Sequence, residues 1–370
     1  MPNNTSATNC FPLCFDPTME IIGPDEAKTN EALIETLGKI SQITFDHSGH
    51  ATRSVHAKAH GVLRGELTIL DDLPEHLAQG LFAKPGTYAV AMRFSTLPGD
   101  ILDDNVSTPR GLAIKAIDVE GPRMPGSEAD TTQDFVMVNG PAFGAPNAEK
   151  FLGVLKMLAA TTDKAEGLKK AVSAVAQVTE SIIEAFGGKS PTLTTMGGQK
   201  ETNILGETFY SQVPILYGKY IAKYSVAPLG PLKALTDSPV EMTDNPNALR
   251  EAVAEHFASN GGDWEFRVQL CTDLQSMPIE DATVVWPEDK SAYLVVARLH
   301  VDQQPSWSPA QVAAIDDGLA FSPWHGLAAH RPLGSVMRAR NTTYKSSANF
   351  RGTHNGCPIR EPRAAGDVKA

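Results

Sequence analysis

The order in which strand-like and helix-like runs follow one another constrains this chain most. Four short apolar runs come first, at 61–70, 86–95, 111–117 and 134–138, and in the first of them apolar and polar residues alternate. Successive side chains of a strand point to opposite faces, so such alternation reads as a strand half-buried against a core. From about residue 148 to 186 the chain turns rich in Ala, Leu, Lys and Glu, with Phe151, Val154, Leu155 and Leu158 at helical spacing. Two helices are expected there, around a polar break near Thr161. Strand-like runs return at 208–226, 264–270, 282–286 and 292–301, and a helical segment follows from Pro332 to Tyr344. Grouped strands, then helices, then strands do not make βαβ units. The pattern predicts an α+β protein whose antiparallel sheet closes into a barrel, with additional helices.

The ends and the composition add limits. Residues 25–37 carry Leu33, Ile34 and Leu37 at helical spacing, with Asp25 and Glu26 in the first turn, where negative charge suits the helix dipole. We expect an irregular arm at 1–24, one core over 25–355 with the 148–186 helices inserted, and a tail at 356–370. A net charge of −11 disfavours nucleic acid or an anionic membrane as partner, because both need clustered cations. Neither a G-x-G-x-x-G fingerprint nor a P-loop appears, which argues against nucleotide chemistry. Cys10, Cys14, Cys271 and Cys357 are scattered, so reduced thiols and a cytoplasmic location are expected. No secretory signal and no apolar run long enough to span a bilayer are visible.

Two groups of residues carry candidate chemistry. If the C-terminal segment is helical, Arg340 and Tyr344 lie one turn apart on one face, with the guanidinium in reach of the phenol oxygen. A free tyrosine ionises near pH 10, but a fixed cation beside it and a ferric ion in front both favour the phenolate, an anionic oxygen ligand for iron. Far away in sequence, His56 follows Arg53 by three residues and precedes an apolar strand. Its imidazole can point at a pocket while the arginine reaches the rim. His47, His50 and His60 read as bystanders, Trp264, Trp286, Trp307 and Trp324 as core or interface residues, and 213–224 as a barrel strand pair.

Five segments together resemble the successive core motifs of haem catalases, in that family's order. They are Arg53-Ser-Val-His56-Ala-Lys, Arg93-Phe-Ser95-Thr, Pro109-Arg110-Gly-Leu-Ala-Ile-Lys115, Asp134-Phe-Val-Met-Val-Asn139-Gly-Pro141-Ala-Phe143 and Arg340-Asn-Thr-Thr-Tyr344. Ordered motifs over roughly three hundred residues are far more specific than any one of them. The resemblance, closest to small catalase-like haem peroxidases, implies haem b as cofactor and Tyr344 as the fifth iron ligand, held as phenolate by Arg340. It implies His56 as the distal acid-base residue, Asn139 as its distal partner and Ser95 as the hydroxyl that orients the imidazole. Arg53, Arg93 and Arg351 look like the arginines that pair with the haem propionates, and Val55 and Phe143 like apolar walls of the pocket.

The activity so implied is cleavage of the O–O bond of hydrogen peroxide or an organic hydroperoxide through a ferryl intermediate, with a second peroxide or an organic electron donor as reductant. A homo-oligomer is also implied. Phe143-Gly144 stands where the family usually has Phe-Phe, and the longer arm and C-terminal helical domain of full-length catalases have no counterpart in these 370 residues. Both departures lead us to expect a more open pocket. Allene oxide synthases, which rearrange fatty-acid hydroperoxides, resemble catalases in the same motifs but carry Thr where this chain has Val55. A hydroperoxide isomerase and a non-catalytic haem-binding protein are the alternative readings.

Overall fold

The computed structural model describes residues 12–106, 108–162 and 200–368. Nine strands form one antiparallel sheet: β1 Ala59–Ile69, β2 Gly86–Thr96, β3 Arg110–Ile117, β4 Thr132–Val138, β5 Phe209–Tyr210, β6 Ile215–Tyr217, β7 Tyr220–Leu229, β8 Gly262–Leu270 and β9 Leu294–Val301. Their spatial order is β5-β4-β3-β2-β1-β9-β8-β7-β6, and β5 also pairs with β7. That extra pairing closes eight strands into a barrel and leaves β6 as a flap hairpinned onto β7. Closure removes the open edges a sheet would otherwise expose.

The alternation seen in the sequence decides which side chains fill the barrel and which build on its outer wall. On β2, Met92 and Phe94 belong to the inner core, as do Leu112 and Ile114 on β3 and Phe135 and Met137 on β4. Inside, Phe135 packs edge-on to Tyr224 and Phe266, with ring centroids 5.2 and 4.7 Å away. Each such ring, fully buried, stabilises the fold by about 2–3 kcal/mol. The intervening residues Arg93, Ser95, Gly111, Ala113, Val136 and Val138 face outward and line a cavity on the barrel's outer surface. Further along that wall Lys115 meets Asp134 at 2.7 Å and Glu361 at 2.5 Å, which clamps the C-terminal segment over the barrel.

Helices roof the outer wall. Helix α1 spans Glu26–Ser48 and α2 Ala148–Thr162; α3, Ala248–Ser259, packs near β1; α4 spans Ser335–His354. Leu33, Ile40, Leu152, Leu155 and Ala339 join α1, α2 and α4 in one apolar cluster. Two carboxylates hold the start of α4: Glu20 accepts the Gly334 N–H at 3.1 Å and Glu280 the Ser335 N–H at 2.8 Å. Arg338 binds both, and Glu26, at 2.7–3.0 Å. Negative charge at a helix N-terminus satisfies N–H groups that lack partners within the helix.

The sequence expectations meet this architecture unevenly. The barrel and the C-terminal helix are present, and the helix expected at 25–37 runs on to Ser48. No strand forms at 282–286; an Asp281–Val284 turn carries Trp286 into the core instead. Helix α3 was not anticipated. The first helix expected after residue 148 is α2; the second, and the arm's residues 1–11, lie outside the described residues. Among the described residues, no helix is long and apolar enough to cross a membrane.

Candidate active site

His56 sits on the short segment that leads into β1, with a backbone φ of +56°. A side chain larger than glycine rarely adopts this left-handed conformation, so the surroundings have to impose it. Two hydrogen bonds do so, from the His56 N–H to the Leu97 carbonyl at 2.7 Å and from the Ala57 N–H to the Pro98 carbonyl at 3.0 Å. The imidazole is thereby turned into the cavity, where Nδ1 lies 3.1 Å from the Ser95 hydroxyl. The Nδ1–Cε1 side of the ring rests against Gly111: a Cβ there would stand 2.6 Å from both Cε1 and Nδ1 and 3.0 Å from Ser95 Oγ. Burial, followed by the charges of Arg93, Arg340 and Arg53, pushes the imidazole down to about 3. His56 is therefore neutral near pH 7 and able to accept a proton.

Gly111 yields a specific expectation. Gly111→Ala must displace either the imidazole or Ser95, so any turnover that uses the His56 ring should fall at least about tenfold while the melting temperature stays near wild type. A variant with wild-type turnover would show that the ring's seat is not needed.

Across the cavity, α4 brings Arg340 and Tyr344 to one wall, as their spacing predicted. The Arg340 guanidinium lies over the Phe143 ring, 5.6 Å from its centroid, and 3.6 Å from Met337 Sδ. A buried hydroxyl ladder ties the two walls together: Ser54 Oγ, beside His56, lies 2.8 Å from Ser41 Oγ on α1 and 2.9 Å from Ser347 Oγ on α4.

Arg53, Arg93 and Arg351 converge at one end of the space. Arg53 Nη1 and Arg93 Nε, the latter at 2.8 Å, both bind Asp316 Oδ1. Arg351 donates to the Asp316, Asp317 and Leu319 carbonyls at 3.1–3.3 Å, and its buried Nε has no hydrogen-bond partner among the described residues. Burial lowers the Arg351 guanidinium to about 10. Burial and the neighbouring Arg93 and Arg351 charges also lower Arg53. This end of the cavity has more positive than negative charge and holds an unsatisfied donor, which suits an anion. The opposite end is apolar, lined by Leu33, Phe143, Ala148, Phe151 and Val336. Val55, His56, Gln212, Arg340 and Tyr344 line both parts, so they form one continuous space.

Of the predicted residues, Arg53, Val55, His56, Arg93, Ser95, Phe143, Arg340, Tyr344 and Arg351 come together around that space. Asn139 is directed elsewhere. Val138 and Gly140 on either side of it line the cavity, whereas its Nδ2 donates to Glu207 at 2.6 Å and its Oδ1 accepts the Arg110 N–H at 2.9 Å. The carboxamide is committed to a carboxylate that sequence reasoning missed, and Arg110 Nη1 binds the same carboxylate. Sequence reasoning also missed Asp316 and Gln212, whose φ of +63° holds it at the cavity wall. Asp316 lies within a short, irregularly wound helical stretch, Val312–Asp317, and carries no periodic signal; a left-handed glutamine carries no sequence signal at all.

The cationic end, the apolar end and an imidazole and a phenol on the lining fit a flat, largely apolar cofactor with carboxylates on one edge. A haem has that shape, and the residues present suit it. No curated protein sequence matches the chain. Among solved structures it is similar to a fungal catalase (18% identity, 88% of this chain and 64% of that one, TM-score 0.60) and to catalase A from Saccharomyces cerevisiae (20%, 88% and 66%, 0.60). A bacterial catalase is also similar (17%, 96% and 66%, 0.59). The chain thus spans slightly less than two thirds of the length of each, and at these identities the likeness establishes the fold. The catalase family model matches residues 27–365, nearly the whole chain, and on that match, with the barrel in agreement, the protein belongs to the catalase family.

Proposed function

We propose that the protein is a haem-dependent oxidoreductase that cleaves the O–O bond of peroxides, with haem b as its cofactor. The observation that carries this reading is a neutral imidazole and a tyrosine that line one cavity with a cationic end and an apolar end. The haem supplies the redox chemistry when bound; the chain supplies anchoring, orientation and proton transfer. Tyr344 would be the iron ligand, with Arg340 one helical turn away on the same wall. Arg53, Arg93 and Arg351 would take the propionates, and Val55 and Phe143 would flank the ring.

His56 accepts the proton of the incoming hydroperoxide on the ring nitrogen away from Ser95 and returns it to the departing oxygen, first as general base and then as general acid. Ser95, with its oxygen 3.1 Å from Nδ1, keeps the other nitrogen occupied and so selects which one is free. Asn139 acts from behind, holding the 138–140 wall through Glu207 and Arg110. Gly144, in the apolar lining, leaves room for hydroperoxides larger than hydrogen peroxide, with an organic electron donor as the second partner. The arm, the core at 25–355 and the tail then work as one unit within a homo-oligomer.

The test is reconstitution with ferric protoporphyrin followed by a panel of hydrogen peroxide, alkyl hydroperoxides and lipid hydroperoxides, each with and without an organic donor. Donor oxidation driven by organic hydroperoxides supports the reading. A loaded protein that consumes no peroxide refutes the enzyme, and rapid oxygen evolution from hydrogen peroxide alone refutes the preference for larger substrates.

A further inference from the structure

The arginine end of the cavity contains a carboxylate of the chain's own. Arg53 Nη1 and Arg93 Nε both bind Asp316 Oδ1, and Arg351 is held by the backbone carbonyls of Asp316, Asp317 and Leu319. Arg53 and Asp316 side chains are each 14% exposed and Arg93 only 3%, so water screens these charges poorly. Two further groups act on the cluster from outside and offset each other: Asp317, bonded to His50 at 3.0 Å, acts on Arg53 and Arg351, and Arg250 acts on Asp316. Arg340 lies at the Phe143 end. Three cations against one anion leave two positive charges, and the buried Arg351 Nε has no acceptor among the described residues.

We infer that Asp316 determines specificity for the ligand's charged edge: it cancels one of three guanidinium charges and leaves two, the number that a ligand edge with two carboxylates neutralises. The inference rests on the haem reading above and adds to it a role for a residue outside the five motifs. Asp316 also keeps the three guanidiniums assembled ahead of the ligand, because like charges at this burial repel unless an anion lies between them. By linkage, a group that stabilises the protein alone more than the loaded protein lowers the affinity for the ligand. Asp316 thus trades some affinity for a clamp that is already built and matched in charge.

The test compares ferric protoporphyrin, which has two free carboxylates, with its dimethyl ester. Both are titrated by absorption into wild type, Asp316→Asn and the double variant Arg53→Gln/Asp316→Asn, and thermal unfolding is followed with and without each porphyrin. Asp316→Asn should lower the melting temperature of the protein alone, regain most of that loss with the free diacid but not with the ester, and widen the diacid-over-ester preference by about tenfold. The double variant, back to two net charges, should return the preference to the wild-type value. If Asp316→Asn fails to fold while the double variant folds, the charge count is supported; if neither folds, it is refuted. An unchanged or narrowed preference in Asp316→Asn, or an equal thermal loss with and without the diacid, makes Asp316 merely structural and leaves the haem reading standing. Wild type that binds neither porphyrin overturns both.

Discussion

Tyr344→Phe should fold like wild type and lose its haem. The substitution keeps the ring that packs in the wall of the cavity and removes only the oxygen, so the melting temperature without cofactor should barely move. What disappears is the proposed bond to iron. A coordinate interaction worth even about 3 kcal/mol corresponds to a roughly 100-fold change in affinity. Gel filtration after reconstitution should therefore give a coloured wild type and a nearly colourless variant. The arginine cluster would not compensate, because it would hold the ligand's carboxylates and not its metal. A variant that retained a full complement of haem with an unchanged spectrum would remove Tyr344 from the iron.

His56→Ala should do the reverse, keeping the haem and losing peroxide cleavage. General acid-base catalysis by one positioned group contributes roughly 10²–10⁴-fold, and among the described residues His56 is the one imidazole bonded to Ser95. The pH profile gives a sharper readout. The folded-state value of His56 is depressed to about 3, below the ordinary 6.5, so the neutral base persists as pH falls through 6.5 and is lost only as pH approaches 3. Wild-type turnover should therefore stay flat between about pH 5 and 8, where an unperturbed histidine would titrate. The same shift makes neutral His56 a destabilising factor only in acid, where the unfolded chain takes up the proton more readily. A wild-type rate that drops with a midpoint near 6.5 would contradict the buried, neutral imidazole.

Much of this was legible in the sequence, and residue chemistry explains what was and what was not. Alternation along 61–70 announced strand β1, and outward residues such as Arg93 and Ser95 fell on one face because side chains in a strand repeat every two residues. Arg340 and Tyr344 share a wall because a helical turn puts positions four apart on one side. The run at 282–286 misled because Val284, Val285 and Trp286 have strand propensity, yet Asp281 ties the Thr283 N–H at 3.0 Å and turns the chain. Asn139 was placed by motif alone, and its orientation depends on Glu207, 68 positions later, with which no local pattern connects it. Asp316 was hidden for the same reason: its partners Arg53 and Arg93 lie 263 and 223 positions away.

The central claim is that a phenol from α4 and an imidazole from the segment before β1 face one iron porphyrin from opposite sides. A crystal structure of the haem-loaded protein measures this directly. The result expected is iron bonded to Tyr344 Oη, the His56 ring across the open face, and both propionates on Arg53, Arg93 and Arg351. Iron bonded to a histidine nitrogen, or a porphyrin seated away from the outer wall of β2, β3 and β4, would contradict it.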